Sequence, residues 1–217
     1  MKTEYDSIIC VYSSCDHLAS AFKICKSLKS TNYKIIIFLT KDCKKKCENK
    51  EFEIVYLDTP EGYHNLCLKT YKMIEYIHLN YKYKTIYKVD ASIETGETCQ
   101  KTAETKTKII EKFFNNSYIT KKDYDGAATR TANKNLIQKW ANKKQIKVNV
   151  KHFNEITGSN KITYYSGKFY VLSFDFIRYM MERSNLKNLS SNFATSLLTE
   201  DLMIGVLHQH YLKEKKA

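Results

Sequence analysis

Glycine is scarce in this chain, six in 217 residues, and none falls in a G-x-G-x-x-G, G-x-x-x-x-G-K-[ST] or G-x-S-x-G pattern. Without a glycine loop to cradle phosphates or a nucleophile elbow, dinucleotide enzymes, P-loop NTPases and serine hydrolases are disfavoured, and the lack of H-E-x-x-H removes the zincins. The seven cysteines (Cys10, Cys15, Cys25, Cys43, Cys47, Cys67, Cys99) are odd in number and form no C-x-x-C pair. Several lie inside apolar runs, where a thiol behaves as a small hydrophobe, so the expectation is a set of reduced thiols and a cytoplasmic setting. No apolar run approaches the roughly 18 residues a membrane span needs. The opening Met1-Lys-Thr-Glu-Tyr-Asp6 leads directly into strand-like sequence. The expectation is therefore no signal peptide and no membrane insertion. No internal repeat is visible.

Apolar residues make up 43% and aromatics 13% of the chain, mostly 17 Tyr and 10 Phe, enough to build a core. The length suits one domain and not two independent enzyme domains. Lys+Arg (36) minus Asp+Glu (23) gives +13, which favours anionic partners. The charge is largely lysine and dispersed, as in Lys41-Asp-Cys-Lys-Lys-Lys46. A nucleic-acid reader more often concentrates arginine on one element, and a lysine-rich solvated surface explains the same balance.

Residues 7–12 form a short β-branched apolar run, residues 17–28 carry apolar positions at helical spacing, and residues 33–40 and 52–57 read as further buried strands. Residues 63–81 predict a helix with Asn65, Lys69 and Met73 on its second stripe, followed by a strand over 84–89 that runs into Asp90. This order predicts an α/β fold with a mixed, mostly parallel central sheet flanked by helices. Residues 1–93 would form a nucleotide-binding half and 94–217 an acceptor-side half of one domain. Residues 94–108 are polar and predict a loop, either a lid or plain surface, leading into a helix over 108–114. Residues 131–161 show no legible pattern, although Trp140 must pack somewhere. Strands over 162–167 and 169–173, a helix over 174–183, and a final helix capped by Thr199 complete the chain.

Asp90 closes a strand, where α/β sheets place ligands, and Asp90-Ala91-Ser92 offers one strong carboxylate and one weaker oxygen for a divalent ion on a diphosphate. An Asp in that position also serves as a turn cap. Glu200 and Asp201 open the last helix, where acidic side chains complement the helix dipole. Gly205 and His208 follow Asp201 on one helical stripe, so a small residue there leaves space for a ligand beside a carboxylate able to take a hydroxyl proton. His208 is a candidate metal ligand, or simply a polar residue near a helix end. Gly167 permits a positive φ or close approach of substrate, and a hairpin explains it equally. Lys69 can reach a phosphate as a point charge, as can any solvated helical lysine.

Four segments, in order, resemble the GT-A glycosyltransferases of the β-1,3-galactosyltransferase and fringe type. Asp58 with Tyr63-His-Asn-Leu-Cys-Leu-Lys-Thr70 is similar to that family's Asn-Leu-Thr-x-Lys-Thr helix, and Tyr87-Lys-Val-Asp-Ala-Ser92 to its Lys-x-Asp-Asp-Asp strand end. Tyr165-Ser-Gly-Lys-Phe-Tyr-Val-Leu-Ser173 with Asp175 resembles its Cys-Ser-Gly-x-x-Tyr-Val-Leu-Ser-x-Asp, and Glu200-Asp201 with Gly205 its Glu-Asp-Val-x-x-Gly. The resemblance implies a GT-A fold and transfer of a hexose from a UDP-sugar donor to a hydroxyl of a glycan or glycoprotein acceptor, with Mn²⁺ or Mg²⁺. By position, Asp90, Ala91 and Ser92 take the metal and nucleotide role, and Asp201 beside Glu200 that of the base, which in a single displacement inverts the anomeric centre. Ser13 and Ser14 would lie beside uracil and ribose. Ser92 replaces a carboxylate, the family's later metal-binding His has no counterpart except His208, and the Golgi enzymes' membrane anchor is missing. A cytoplasmic enzyme like the capsid-glycan transferases of large algal viruses fits that gap, placing it in the host cytoplasm if viral. Two other readings stay open: a basic module binding phosphate or nucleic acid without catalysis, and an inactive GT-A-like domain.

Overall fold

Side chains alternate across a strand, so a run that is apolar at every position must be covered on both faces. That rule organises the molecule. The computed structural model describes residues 3–28, 33–46, 51–62, 65–115, 122–143, 161–182 and 199–217. Strands β1 (Thr3–Tyr12), β2 (Tyr33–Thr40), β3 (Glu53–Leu57) and β4 (Tyr81–Asp90) are parallel, and β5 (Tyr124–Gly126) and β8 (Phe169–Ser173) extend the sheet in the order β3-β2-β1-β4-β8-β5. Strand β8 runs antiparallel to both β4 and β5.

Ile8, Cys10, Tyr12, Ile36, Phe38 and Ile86 face one layer. It is covered by α2 (Leu66–Asn80), α5 (Phe174–Glu182) and α6 (Glu200–Glu214). Their intervening neighbours Ile9, Val11, Ile37, Leu39, Tyr87 and Val89 face the other layer, under α1 (Leu18–Ser27) and α3 (Cys99–Asn115). Each fully buried Ile or Val contributes on the order of 1.5–3 kcal/mol, which is why these strands are the frame.

Handedness fixes the helices. The β1-α1-β2 crossover moves outward along the sheet, and β3-α2-β4 moves back across it, so right-handed connections place α1 and α2 on opposite faces. The direction of winding therefore reverses between β1 and β4, where Tyr12 stands opposite Asp90. At such a switch point the loops leave in opposite directions and open a crevice beyond the strand ends.

Several sequence expectations change. Residues 99–108 are helical and belong to α3; its polar side chains Thr102, Lys106 and Thr107 are buried, so a period counted on apolar residues alone missed it. The unread stretch takes in the end of β6 (Thr129–Ala132) and α4 (Lys134–Lys143), and residues 144–160 of it lie outside the described residues. Strand β7 (Ile162–Tyr165) pairs with β6 in a separate two-stranded sheet, so residues 166–168 carry the chain from one sheet to the other and are not a hairpin turn. Cys15 and Cys43 form a disulfide, against the expectation of free thiols throughout. They meet because β1 and β2 are parallel neighbours ending at the same edge. Cys10, Cys25 and Cys67 are buried thiols, and Cys47, Tyr63 and Arg183 lie outside the described residues.

Gly205 does not leave ligand space. A Cβ there would lie 2.6 Å from Cβ of Tyr164 and 3.1 Å from the Thr163 carbonyl, so the missing side chain lets α6 lie against β7. Neither neighbour can swing aside. We expect Gly205→Ala to lose roughly 1–3 kcal/mol by overpacking despite alanine's better helix propensity, read by chemical denaturation. Unchanged stability would mean the helix and strand are not locked there.

Candidate functional site

The site begins where β1 ends. Ser13 donates its N–H to Phe38 O at 3.1 Å, and the Tyr12 hydroxyl donates to Leu66 O at 3.2 Å. From α2, Lys69 is buried, not solvated: its Nζ donates to Ser13 O at 2.5 Å, stands 4.4 Å over the Tyr12 ring and lies 3.6 Å from Glu61 Oε1. Burial depresses its pKa, with Glu61 working the other way. Lys69 thus fastens the switch-point end of β1.

On the adjacent strand Asp90 donates its N–H to Lys168 O at 3.0 Å, and its Oδ1 accepts the Ser92 N–H at 2.9 Å. It is therefore a turn cap and also a cleft residue, since Asp90 and Ser92 line a cavity of about 500 Å³. Its Oδ2 accepts no hydrogen bond among the described residues. The neighbouring Lys106, 3% exposed, lies 3.4 Å from Glu94 Oε1; burial lowers its pKa, while the charge of Asp90 raises it.

Lys88 is two residues before Asp90 and on the same face of β4, so it points into the layer shared with α2 and α6. A lysine there needs a buried acid, and α6 supplies one. Nζ of Lys88 lies 2.9 Å from Glu200 Oε1, with side chains 1% and 8% exposed, and also donates to Gly167 O. The ammonium stands 4.6 Å over Tyr12. Burial works to lower its pKa, but Glu200 and Asp90 more than offset this, so its pKa lies above the ordinary lysine value.

Gly167 joins both charges. Its carbonyl meets Lys88, and its N–H donates to Asp201 Oδ2 at 2.9 Å. A Cβ on Gly167 would lie 2.4 Å from Glu200 Oε1, so close approach explains this glycine. The Leu202 N–H meets the other oxygen of Asp201 at 2.9 Å. Burial, then repulsion by Glu200, lifts the Asp201 carboxyl to about 6, against the pull of the Gly167 N–H, Thr199 and Lys88. A carboxyl poised there is ionised at neutral pH yet basic enough to accept a proton.

Asp90, Ser92, Gly167, Glu200 and Asp201 line one cavity, although their sequence positions span half the chain. The same cavity is lined by Arg130 and Thr131 of β6, Leu136 and Trp140 of α4, and Tyr164 of β7. Its volume is within the range of about 300–1,000 Å³ typical of small-molecule sites. The other predicted residues are elsewhere. Ser13 is buried beneath Lys69, Ser14 opens a short 3-10 turn, and Ala91 packs in the α1/α3 layer with its N–H on Tyr12 O at 2.9 Å. His208 packs among Tyr124 and Phe176, each ring 5.2 Å away, and burial lowers its pKa. The structure does not bring it to Asp90, because seven residues along α6 carry it about two turns from Asp201.

Among the described residues no group of three His, Cys, Asp or Glu side chains is placed to hold a metal. One carboxylate with a free oxygen fits a cation shared with phosphate oxygens, a common arrangement for Mg²⁺-like ions, and not an all-protein cage. Sequence reasoning missed Lys88, whose signal was a lysine on the buried face of an apolar strand, and the Trp140 wall, whose helix is masked by Lys and Asn. Among the described residues no helix is long and apolar enough to cross a membrane. No protein-family model matches the chain, and no curated protein matches it.

Proposed function

We propose that this chain is a GT-A-like glycosyltransferase that moves a sugar, a hexose, from a UDP-sugar to an acceptor hydroxyl. The observation that carries the reading is the convergence of Asp90, at the switch point of the sheet, and the Glu200-Asp201 pair on one cavity. The donor diphosphate would lie beyond the ends of β1 and β4, where Asp90 and Ser92 are the residues that would hold a Mn²⁺ or Mg²⁺. Such a cation would supply positive charge against that growing on the departing diphosphate. Asp201 accepts the proton of the acceptor hydroxyl as its oxygen bonds to the anomeric carbon. The bond from that carbon to the phosphate oxygen breaks, its electron pair leaves with UDP, and the configuration inverts. Lys88 and Gly167 position the acid pair and do not touch the reacting atoms.

Calorimetric titration with UDP, with and without Mn²⁺, tests the donor site. Binding should tighten with the metal, and Asp90→Asn should lose about 10–100-fold of that metal-dependent affinity. Equal affinity in both conditions, or binding that only falls steeply with salt, would favour a non-enzymatic phosphate-binding module instead.

A further inference from the structure

Two turns at the carboxyl edge of the sheet are joined by a covalent bond that the chemistry above does not use. Cys15 and Cys43 each stand three residues past the end of a strand, β1 and β2, in the 3-10 turn that follows it. Cys43 is fully buried, its sulfur 3.9 Å from Thr40 Oγ1 and 3.8 Å from Glu61 Oε1. The same carboxylate oxygen accepts the Thr40 hydroxyl at 2.9 Å and lies 3.6 Å from Lys69 Nζ, which in turn holds Ser13 O. These links close a ring around the end of β1, from Ser13 to Cys15, Cys43, Glu61, Lys69 and back. Beside it, Tyr12 O accepts the Ala91 N–H at 2.9 Å, which ties the ring to the turn that carries Asp90.

The buried thiols elsewhere offer a contrast. Burial raises the pKa of Cys10, Cys67 and Cys25, the last to about 12, so these thiols are unreactive. Cys15 is only half-buried, and it is the member of the pair that a dissolved thiol can reach. We propose that the Cys15–Cys43 disulfide is a redox switch on the cavity: oxidised, it holds the end of β1 and, through Ala91, the Asp90 turn in place, and reduction by a dithiol releases them. A thiolate of the reductant attacks the Cys15 sulfur, and the S–S electron pair leaves on Cys43, which takes a proton. The reductant's second thiol then displaces Cys15 from the mixed disulfide, so two electrons and two protons pass to the protein and the reductant ends as a disulfide. Two thiols do not stay at bonding distance. Cys43 is walled in by Thr40 and Glu61, so the separation falls on Cys15 and on Ser13 and Ser14 before it.

A bond spanning 28 residues also constrains the unfolded chain, so the rival reading is a plain staple against unfolding. Peptide mapping of the full chain without reductant should find Cys15 linked to Cys43. Hydrogen exchange is then followed before dithiothreitol, after it, and after reoxidation with oxidised glutathione. The Ala91 amide should exchange about tenfold faster in the reduced chain and recover on reoxidation, with the slowest amides of β2 changing far less. Cys15→Ser should behave as the reduced chain without reductant and ignore dithiothreitol; if it does not fold, the reduced parent carries the same test. Acceleration confined to the slowest core amides, an unmoved Ala91, or a linkage other than Cys15 to Cys43 overturns the switch. Its effect on the donor rests on the proposed transferase reading: Mn²⁺-dependent UDP affinity, measured after the reductant is removed, should fall about tenfold on reduction. Equal UDP affinity in the two states overturns the switch and leaves the donor site standing. Reversible loosening at Ala91 with UDP bound in neither state keeps the switch and sinks the transferase reading.

Discussion

Asp201→Asn should fold, bind UDP as the parent does, and lose turnover by roughly 10²–10⁴-fold, the share that a positioned general base usually supplies. The amide keeps one oxygen for the Gly167 N–H but cannot accept a proton. In the parent chain the carboxyl titrates at about 6 because burial and Glu200 raise it. The base works only when ionised, so kcat/KM should be low in acid and rise with pH through about 6 to a plateau. Asp201→Asn should abolish that inflection. Initial rates of UDP release across pH 4.5 to 8 would decide it: a variant with parental turnover, or a flat parental profile, removes Asp201 from the chemistry.

Lys88→Met should be among the most destabilising single changes in the molecule. It leaves Glu200 charged and buried with no cation, a situation that typically costs about 3–5 kcal/mol. For a chain of this size that is a drop in Tm of roughly 6–20 °C. Pairing it with Glu200→Met should recover most of the loss, since replacing both partners by apolar groups is often neutral or better. Thermal denaturation of the two single variants and the double variant closes the cycle. If Lys88→Met alone is neutral, water reaches the pair and it is not buried as described. The lysine's folded pKa is raised, so the pair's contribution is fully present at neutral pH and disappears only as alkali carries the solution through that higher pKa.

How much was legible in the sequence depended on whether burial was carried by apolar residues. Strand β2 coincides with its expected bounds because its central residues are buried on both faces. Strand β4 begins three residues before its expected start, since Lys82 and Lys84 alternate outward and hide the edge of the run. The first part of helix α3, before residue 108, was missed because Thr102, Lys106 and Thr107 fill positions that a hydrophobic count leaves blank, with Thr102 turned toward Glu97 and Lys106 toward Glu94. Asp90 and Glu200-Asp201 were visible from position, one ending a strand and the others opening a helix. Their common cavity was not, because it depends on the switch between β1 and β4 and on a crossing from one sheet to another. Gly205 and His208 shared a stripe with Asp201 on paper, yet packing against Tyr164 and an aromatic cluster claimed both.

The glycine between the two sheets divides the molecule's labour. Both polar ends of its backbone are committed, one to Lys88 and one to Asp201, and it has no side chain to vary. Under the proposed reading, adaptation to a new acceptor would fall on Arg130, Thr131 and Leu136, which line the cavity, are exposed and lie outside the central sheet. Those side chains can vary while the glycine and its two charged partners stay fixed.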